Sequence, residues 1–212
     1  MSTSLNPSFY SIIFLRHGES IGNAQGYYQG QSDYPLSEKG KDQARSLAAR
    51  WLAEGKSFDH AVTSPLSRAA QTAEILGQAL SLTVEVDPIW MERDNGLLAG
   101  LRAEEAALRY PRPAFISPYA PIGETGESQW ELYLRAGRAV QSLLCRPPGS
   151  YLVVSHGGIL NMVLYAILGI VPQANFQGAR FRFRNTAFAS LTYSPAEHSW
   201  ALEGLNDRQH WE

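Results

Sequence analysis

Two histidines in this sequence each stand one polar residue after a short apolar run and directly before a glycine. Residues 12–15 lead into Arg16-His17-Gly18-Glu19, and residues 151–154 lead into Ser155-His156-Gly157-Gly158. Strands that are buried on both faces have such continuous apolar sequences. Open α/β sheets bind ligands at the carboxyl ends of their strands. The pattern therefore predicts that His17 is a reactive group at a strand end and that Arg16 holds an anion beside it.

Two further polar residues occupy positions at which they could take part in such chemistry. Arg68 falls in the first turn of a predicted helix, where free backbone N–H groups and the helix dipole favour an anion. Glu92 is flanked by Trp90 and Met91, an apolar setting that suits a general acid. Taken singly, each is more typical of a solvated surface residue. The remaining histidines have no supporting context and are interpreted as ordinary structural or surface residues: His60, His198 and His210.

The elements that must position these residues alternate between strand and helix. Apolar periodicity and capping residues predict helices over residues 37–53, 65–80, 103–110, 129–144 and 159–168. Apolar or alternating runs predict strands over residues 12–15, 59–63, 82–86, 151–155, 181–184, 186–193 and 200–205. This alternation predicts an α/β domain with a largely parallel sheet. We expect one domain over residues 1–212, with residues 92–128 as an irregular, proline-broken lid over the site.

Composition excludes several other classes of protein. The net charge of −2 argues against a nucleic-acid binder, and no apolar run is long enough to span a membrane. Residues 1–10 lack the basic and apolar regions of a signal peptide, and Cys145 is the single cysteine. These features predict a cytoplasmic protein.

Metal binding is the competing explanation for two histidines and a carboxylate. The sequence lacks the close His-x-x-x-His spacing of many zinc sites, and arginines beside the histidines would repel a cation. We therefore expect no metal and no cofactor. Three arginines at positions 180, 182 and 184 alternate with phenylalanines and would share one strand face. They either attract an anionic substrate or form a solvated face.

Several motifs, in order along nearly the whole chain, resemble the signature of the histidine phosphatase superfamily, which has the phosphoglycerate-mutase-like fold. The first is Leu15-Arg16-His17-Gly18-Glu19, with Asn23 six residues after His17. The others are residues 29–30, 35–40, 64–72, 92–93, 100–101, 126–128 and 154–158. The resemblance implies a three-layer α/β/α fold with a mostly parallel central sheet.

The resemblance also implies a role for each candidate residue. His17 would attack phosphorus and become a phosphohistidine, while Glu92 would protonate the leaving alkoxide and then activate water. The residues that would bind the substrate are Arg16, Asn23, Gln29, Gly30, Arg68, His156 and Gly157. Two arginines and a second histidine around the nucleophile suit phosphoryl transfer, which depends on positioning and charge stabilisation.

Three functions are compatible with these motifs: a phosphatase for small phosphomonoesters, a cofactor-dependent phosphoglycerate mutase, and a catalytically inactive phospho-ligand binder. The presence of all five catalytic candidates disfavours the last. Asn95 and Gly158 stand where mutases carry a tyrosine and an asparagine, and the lid lacks their long basic insertion. We therefore expect hydrolysis of a small phosphorylated metabolite. The strand at 200–205 could pair with a second copy as an edge strand, which would give a homodimer.

Overall fold

The fold is taken from a computed structural model that describes residues 9–211, so the predicted lack of a signal peptide falls almost entirely outside the described residues. These residues form a six-stranded sheet with the order β3-β2-β4-β1-β5-β6. The strands are β1 (Tyr10–Arg16), β2 (His60–Thr63), β3 (Val84–Val86), β4 (Ser150–Ser155), β5 (Phe188–Ser194) and β6 (Ser199–Asp207). The first four are mutually parallel, whereas β5 and β6 are antiparallel to their neighbours.

Helices cover both faces of this sheet. They are α1 (Ile21–Ala24), α2 (Glu38–Ala53), α3 (Ser67–Leu80), α4 (Ala103–Arg109), α5 (Gln129–Leu144) and α6 (Gly157–Leu168). Helices α2 and α3 share one hydrophobic core with the sheet, and α5 and α6 share the other. The prediction of a three-layer α/β/α fold with a mostly parallel sheet is confirmed. None of the helices in residues 9–211 is long and apolar enough to cross a membrane.

Strand β1 contributes alternate side chains to the two cores. Ile12 and Phe14 pack in the core under α5 and α6, and Ile13 and Leu15 pack in the core under α2 and α3. All four are at most 2% exposed, and burial of each such side chain contributes roughly 1.5–3 kcal/mol. The continuous apolar run is thus explained by burial on both faces of the sheet. This burial holds β1, and with it the residues that follow the strand, between the two cores.

One predicted strand is wrong. Residues 181–184 form no strand, and the backbone N–H groups at the two ends of this stretch donate to side chains instead of to a neighbouring strand. The N–H of Phe181 donates to Asn161 Oδ1 at 2.8 Å, and that of Arg184 donates to Asn206 Oδ1 at 2.9 Å. The alternation in the sequence nevertheless reflects burial: Phe183 is buried, while the arginines at 180, 182 and 184 are exposed.

The irregular segment 92–128 is held at several points along its length. The N–H of Gly100 donates to Tyr28 O at 2.8 Å, and the N–H of Tyr28 donates to Leu101 O at 2.9 Å. Further on, the N–H of Ile116 donates to Asn175 Oδ1 at 2.7 Å. The segment therefore lies against the loop after α1 and the loop after α6. Its role as a lid stays a prediction.

Helix α2 begins against the loop that follows β1, and this approach requires glycine. Ser37 caps the helix by accepting from the N–H of Gly40 at 3.1 Å, and its own N–H donates to Glu19 O at 2.9 Å. A Cβ atom at Gly40 would overlap the Glu19 carbonyl oxygen. The loop that carries the candidate nucleophile is thereby pinned to α2 by backbone contact.

We expect Gly40→Ala to lower the free energy of unfolding by about 2 kcal/mol or more, because the methyl group forces apart two segments of backbone. Gly137→Ala, at a half-buried position in the middle of α5, is the matched control. Nothing lies within 4 Å of the added methyl there, so alanine should stabilise the helix by ~0.5–1 kcal/mol. Urea denaturation measures both values. A Gly40→Ala protein as stable as the parent would contradict the close backbone contact between Gly40 and Glu19.

Candidate active site

The carboxyl ends of three adjacent strands bring the predicted residues together. Strand β1 ends at Arg16, and the following N–H, of His17, donates to Ser155 O at the end of β4 at 2.9 Å. His156 is the N-cap residue of α6, and Arg68 lies in the first turn of α3, after β2. The imidazole rings of His17 and His156 have centroids 5.1 Å apart. The structure thus places both His-Gly corners at one site, at the sheet edge where α/β proteins bind ligands.

The surroundings of His17 fix which ring nitrogen is free to react. Its Nδ1 atom lies 2.6 Å from the carbonyl oxygen of Gly18, which can only accept a hydrogen bond. Nδ1 therefore carries the proton, and Nε2 keeps its lone pair. Burial, together with the charges of Arg16 and Arg68, lowers the pKa of His17 well below 6.5. At neutral pH the side chain is uncharged, which is the form in which an imidazole can act as a nucleophile.

Two guanidinium groups next to His17 are held by backbone carbonyls. Arg16 Nη1 donates to Phe183 O at 2.7 Å. Arg68 Nη1 donates to Ser32 O at 3.0 Å, and its Nη2 donates to Gly30 O at 2.7 Å. The Nε atoms of both arginines are buried and have no hydrogen-bond partner within residues 9–211. Burial lowers the pKa of both groups, and an oxyanion would supply the acceptors and the charge that they lack.

His156 adds a further buried polar group. Its Nε2 lies 2.8 Å from Ser64 Oγ, whereas its Nδ1 is buried and has no partner among the described residues. Burial, with His17 and the two arginines, lowers the pKa of His156 well below 6.5. Ser64 follows β2 and is a supporting residue that the sequence did not reveal as functional.

Glu92 reaches the site because Trp90 anchors its segment in the core. Trp90 is fully buried, and its carbonyl accepts from Ser155 Oγ at 2.7 Å. The Glu92 carboxylate then accepts three backbone hydrogen bonds, from the N–H groups of Arg93 (2.9 Å), Gly158 (2.9 Å) and Ile159 (3.0 Å). The sequence suggested an apolar setting for this carboxylate. The structure places it instead at the N-terminus of α6, where N–H groups and the helix dipole favour negative charge.

Gly158 makes this position of Glu92 possible. A Cβ atom at residue 158 would overlap Glu92 Oε1. The absence of a side chain lets the carboxylate approach the first turn of α6 directly.

Arg135 on α5 supports the Glu92 segment from behind, which the sequence did not reveal. It donates to the carbonyls of Ile89 (2.9 Å), Met91 (2.7 Å) and Glu92 (3.2 Å). It also pairs with Glu127, with 2.6 Å between Nη2 and Oε2. In the sequence Arg135 is one cation on an amphipathic helix, and only tertiary contact shows its role.

Three of the remaining predicted binding residues lie in α1 and in the loop that follows it. Asn23 is half-buried, and its Oδ1 accepts from Asn185 Nδ2 at 3.1 Å. Gln29 is buried, and its Oε1 accepts from Ser20 Oγ at 2.6 Å. Gly30 has a positive φ of 53° and supplies the carbonyl that holds Arg68.

Gly157, the first residue of α6, lies against Arg16: a Cβ atom built on it would be 3.7 Å from Arg16 Nε. Substrate contact by Asn23, Gln29, Gly30 and Gly157 stays a prediction.

Arg93 is a further cation beside Glu92. Its Nε donates to Asn95 Oδ1 at 3.1 Å, and its guanidinium carbon lies 5.6 Å from the centre of the Phe176 ring. Burial lowers the pKa of Arg93. Phe176, which follows α6, also lies 5.8 Å from the guanidinium carbon of Arg112. This aromatic ring thus joins the segment 92–128 to the loop after α6 by cation–π contacts.

The chemistry of these side chains suits an anion. Within residues 9–211, no three His, Cys, Asp or Glu side chains are grouped so that they could hold a metal ion. Seven buried side-chain nitrogens lack a hydrogen-bond partner among the described residues, and three of them belong to this site: Nε of Arg16, Nε of Arg68 and Nδ1 of His156.

The fold and site define an α/β protein in which two buried histidines lie beside two buried guanidinium groups at the carboxyl ends of the central strands. The family model described as the histidine phosphatase superfamily (branch 1) matches residues 12–208. The chain belongs to this superfamily.

Known relatives include both mutases and phosphatases by name. A probable phosphoglycerate mutase GpmB of Yersinia enterocolitica is 35% identical over 208 residues, with 94% of each chain covered. A mycobacterial glucosyl-3-phosphoglycerate phosphatase, solved in complex with VO3, has a TM-score of 0.77 at 30% identity, covering 93% of this chain and 98% of that one. Bacillus stearothermophilus YhfR has a TM-score of 0.81 at 26% identity, covering 96% and 100%.

The buried neutral histidines make stability depend on pH. The unfolded chain takes up protons on these imidazoles near pH 6.5, whereas the folded protein keeps His17 and His156 neutral, so acid favours unfolding. We expect the free energy of unfolding to fall from pH 7 to pH 5.5. Its slope should approach ~1.4 kcal/mol per pH unit for each histidine. Denaturant titrations over this range measure the slope. His17→Asn removes one of the two imidazoles and should lower the slope by about 1.4 kcal/mol per pH unit. A flat profile would contradict neutral burial.

Proposed function

We propose that this protein is a phosphatase that hydrolyses small phosphomonoesters through a phosphohistidine on His17. In the first step the lone pair of His17 Nε2 forms the N–P bond as the ester P–O bond breaks. Arg16, Arg68 and His156 hold the phosphoryl oxygens, and Asn23 on α1 is a further donor. Two buried cations supply the charge stabilisation on which phosphoryl transfer depends.

Glu92 acts as general acid and then as general base. In the first step a proton held on Glu92 passes to the departing alkoxide, so that the alcohol leaves neutral and the carboxylate is left behind. The resulting carboxylate then takes a proton from water as the water oxygen attacks phosphorus, the N–P bond breaks and neutral His17 returns.

The observation that carries this proposal is the set of three backbone N–H groups on the Glu92 carboxylate. They hold the carboxylate at the N-terminus of α6, beside the two histidine corners, in the position from which we propose that it activates water. A hydrolase needs such a base beside its phosphohistidine, whereas a mutase must keep water away from the same bond. The lack of a side chain at Gly158, where mutases carry asparagine, supports the same function.

The charges of the segment 92–128 also favour hydrolysis. A mutase must hold a doubly phosphorylated ligand, and the arginines of this segment that follow Leu101 are engaged elsewhere. Arg102 lies 5.4 Å from the Tyr27 ring, and Arg109 pairs with Glu105 at 2.7 Å. Arg112 donates to Asn175 O at 3.1 Å. A phosphoglycerate mutase remains the second candidate, because the curated relatives carry that name.

The proposal also covers the substrate class, the oligomeric state and the location of the protein. The substrate is a small phosphorylated metabolite, and catalysis uses no metal. The long edge strand β6 exposes Leu202 and Leu205, each 40% accessible, which supports a homodimer formed along this edge. The single cysteine, Cys145, suits the cytoplasm.

The decisive experiment is incubation with a panel of phosphorylated metabolites, including 3-phosphoglycerate, with free phosphate and isomerised product assayed together in EDTA. We expect phosphate release without isomerisation. His17→Ala should abolish turnover of an aryl phosphate. The parent protein should take up an acid-labile phosphoryl group from the substrate, and the His17→Ala protein should not. Isomerised product as the main outcome would establish the mutase, and substantial activity in His17→Ala would exclude the phosphohistidine.

Glu92→Gln should slow esters of poor leaving groups much more than p-nitrophenyl phosphate, because only the poor alkoxide needs a proton as it departs. We expect a loss of about 10²–10⁴-fold for an alkyl phosphate in the first step. Burst kinetics separate this step from hydrolysis of the phosphoenzyme. Equal losses for both leaving groups in the first step would argue against the acid role.

A further inference from the structure

Thr186 holds the backbone of the nucleophile from the side opposite to β4. Its N–H is shared between Arg16 O at 3.0 Å and His17 O at 3.2 Å. The neighbouring Asn185 adds a donor, with its Nδ2 3.2 Å from His17 O. Thr186 is fully buried and has a φ of +51°, a left-handed conformation that is strained for a β-branched residue. Something must hold it there.

The side chain of Thr186 is held by two aromatic residues from the end of the described chain. Its Oγ1 has three partners: Asn185 O at 2.8 Å, Trp211 Nε1 at 2.8 Å and His210 Nε2 at 2.9 Å. The carbonyl can only accept and the indole can only donate. The single hydroxyl proton therefore goes to Asn185 O, and His210 Nε2 donates. Burial lowers the pKa of His210 to about 4, which keeps this tautomer neutral.

The short 3-10 helix Gln209–Trp211 is itself anchored to α2. Arg50 on α2 makes a two-point ion pair with Asp207, with N–O distances of 2.6 and 3.0 Å. Asp207 Oδ1 also accepts from the N–H of Gln209 at 3.1 Å. A two-point arginine–carboxylate pair fixes orientation as well as distance. A continuous set of polar contacts thus leads from α2 through Thr186 to the carbonyl of His17.

We propose that His210 and Trp211 are positioning residues for the nucleophile, which act through Thr186. They lock the strained backbone at Thr186, and Thr186 in turn fixes the direction in which the loop presents His17 Nε2. Neither residue touches the substrate. The effect on rate rests on the proposed function, whereas the effect on the geometry of His17 does not. Because a misplacement of 1 Å can reduce a rate by about 10²-fold, the loss of one of these hydrogen bonds should be visible in kcat.

The kinetic test uses variants that keep shape and remove a donor or acceptor. Trp211→Phe and Thr186→Val should lower kcat for an aryl phosphate about tenfold or more, with KM within twofold of the parent value. Thr186→Ser retains the hydroxyl, and His210→Gln retains a side-chain N–H donor. Both variants should therefore keep most of the parent kcat. Trp200→Phe on β6 is the matched tryptophan control and should leave kcat unchanged. Rates are measured well below each melting temperature.

A second measurement reads the geometry of His17 without any reaction. The protein has five histidines, so ¹⁵N-labelled imidazole spectra can be assigned residue by residue. In the parent we expect His17 to carry its proton on Nδ1, and Trp211→Phe should shift the His17 signals while leaving those of His60 in place. If no phosphomonoester is turned over, the proposed function fails and the spectra alone decide the positioning role. Unchanged His17 signals and kcat in Trp211→Phe and Thr186→Val would overturn it, even if stability falls.

Discussion

The burial of two positive charges without a carboxylate ion pair is the constraint on which this structure depends. Within the described chain, no carboxylate lies within salt-bridge distance of Arg16 or Arg68; backbone carbonyls of Gly30, Ser32 and Phe183 hold them instead. Carbonyl dipoles stabilise a guanidinium less than an opposite charge does. The loops must therefore supply acceptors in fixed directions, as the left-handed Gly30 does. The protein keeps these charges without an ion-pair partner at a cost in stability, which is typical of preorganised active sites.

The sequence predicted the fold well wherever burial alone decides structure. The apolar run of β1 and the periodic faces of α2, α3 and α5 correspond to observed elements, because each buries one or two faces against a single sheet. The failure at residues 181–184 has the opposite cause. Their alternation resembles a strand, but the amide side chains of Asn161 and Asn206 satisfy the backbone. No local pattern encodes the position of two distant asparagines.

The same division applies to the site. Residues directly after strands were predictable, since the ends of parallel strands converge: His17, His156, Arg68 and Glu92 are brought together as expected. Their supports were not. Arg135 acts through three carbonyls, and Thr186 through its backbone N–H, so neither residue type suggests its role. His210 was interpreted as having no supporting context, yet its Nε2 meets Thr186, a contact between distant parts of the chain.

The central position of β1 separates the proposed nucleophile from the segment predicted to be a lid. This strand has hydrogen-bonded neighbours on both sides, which places it among the parts of a fold that open least readily, and His17, which follows it, shares that protection. The segment 92–128 is joined to its surroundings by scattered loop contacts instead. Substitutions in such a segment change the surroundings of the site without loosening the central strand. In one fold the loops can thus vary while the strand ends stay constant, and the relatives of this chain carry the names of both mutases and phosphatases.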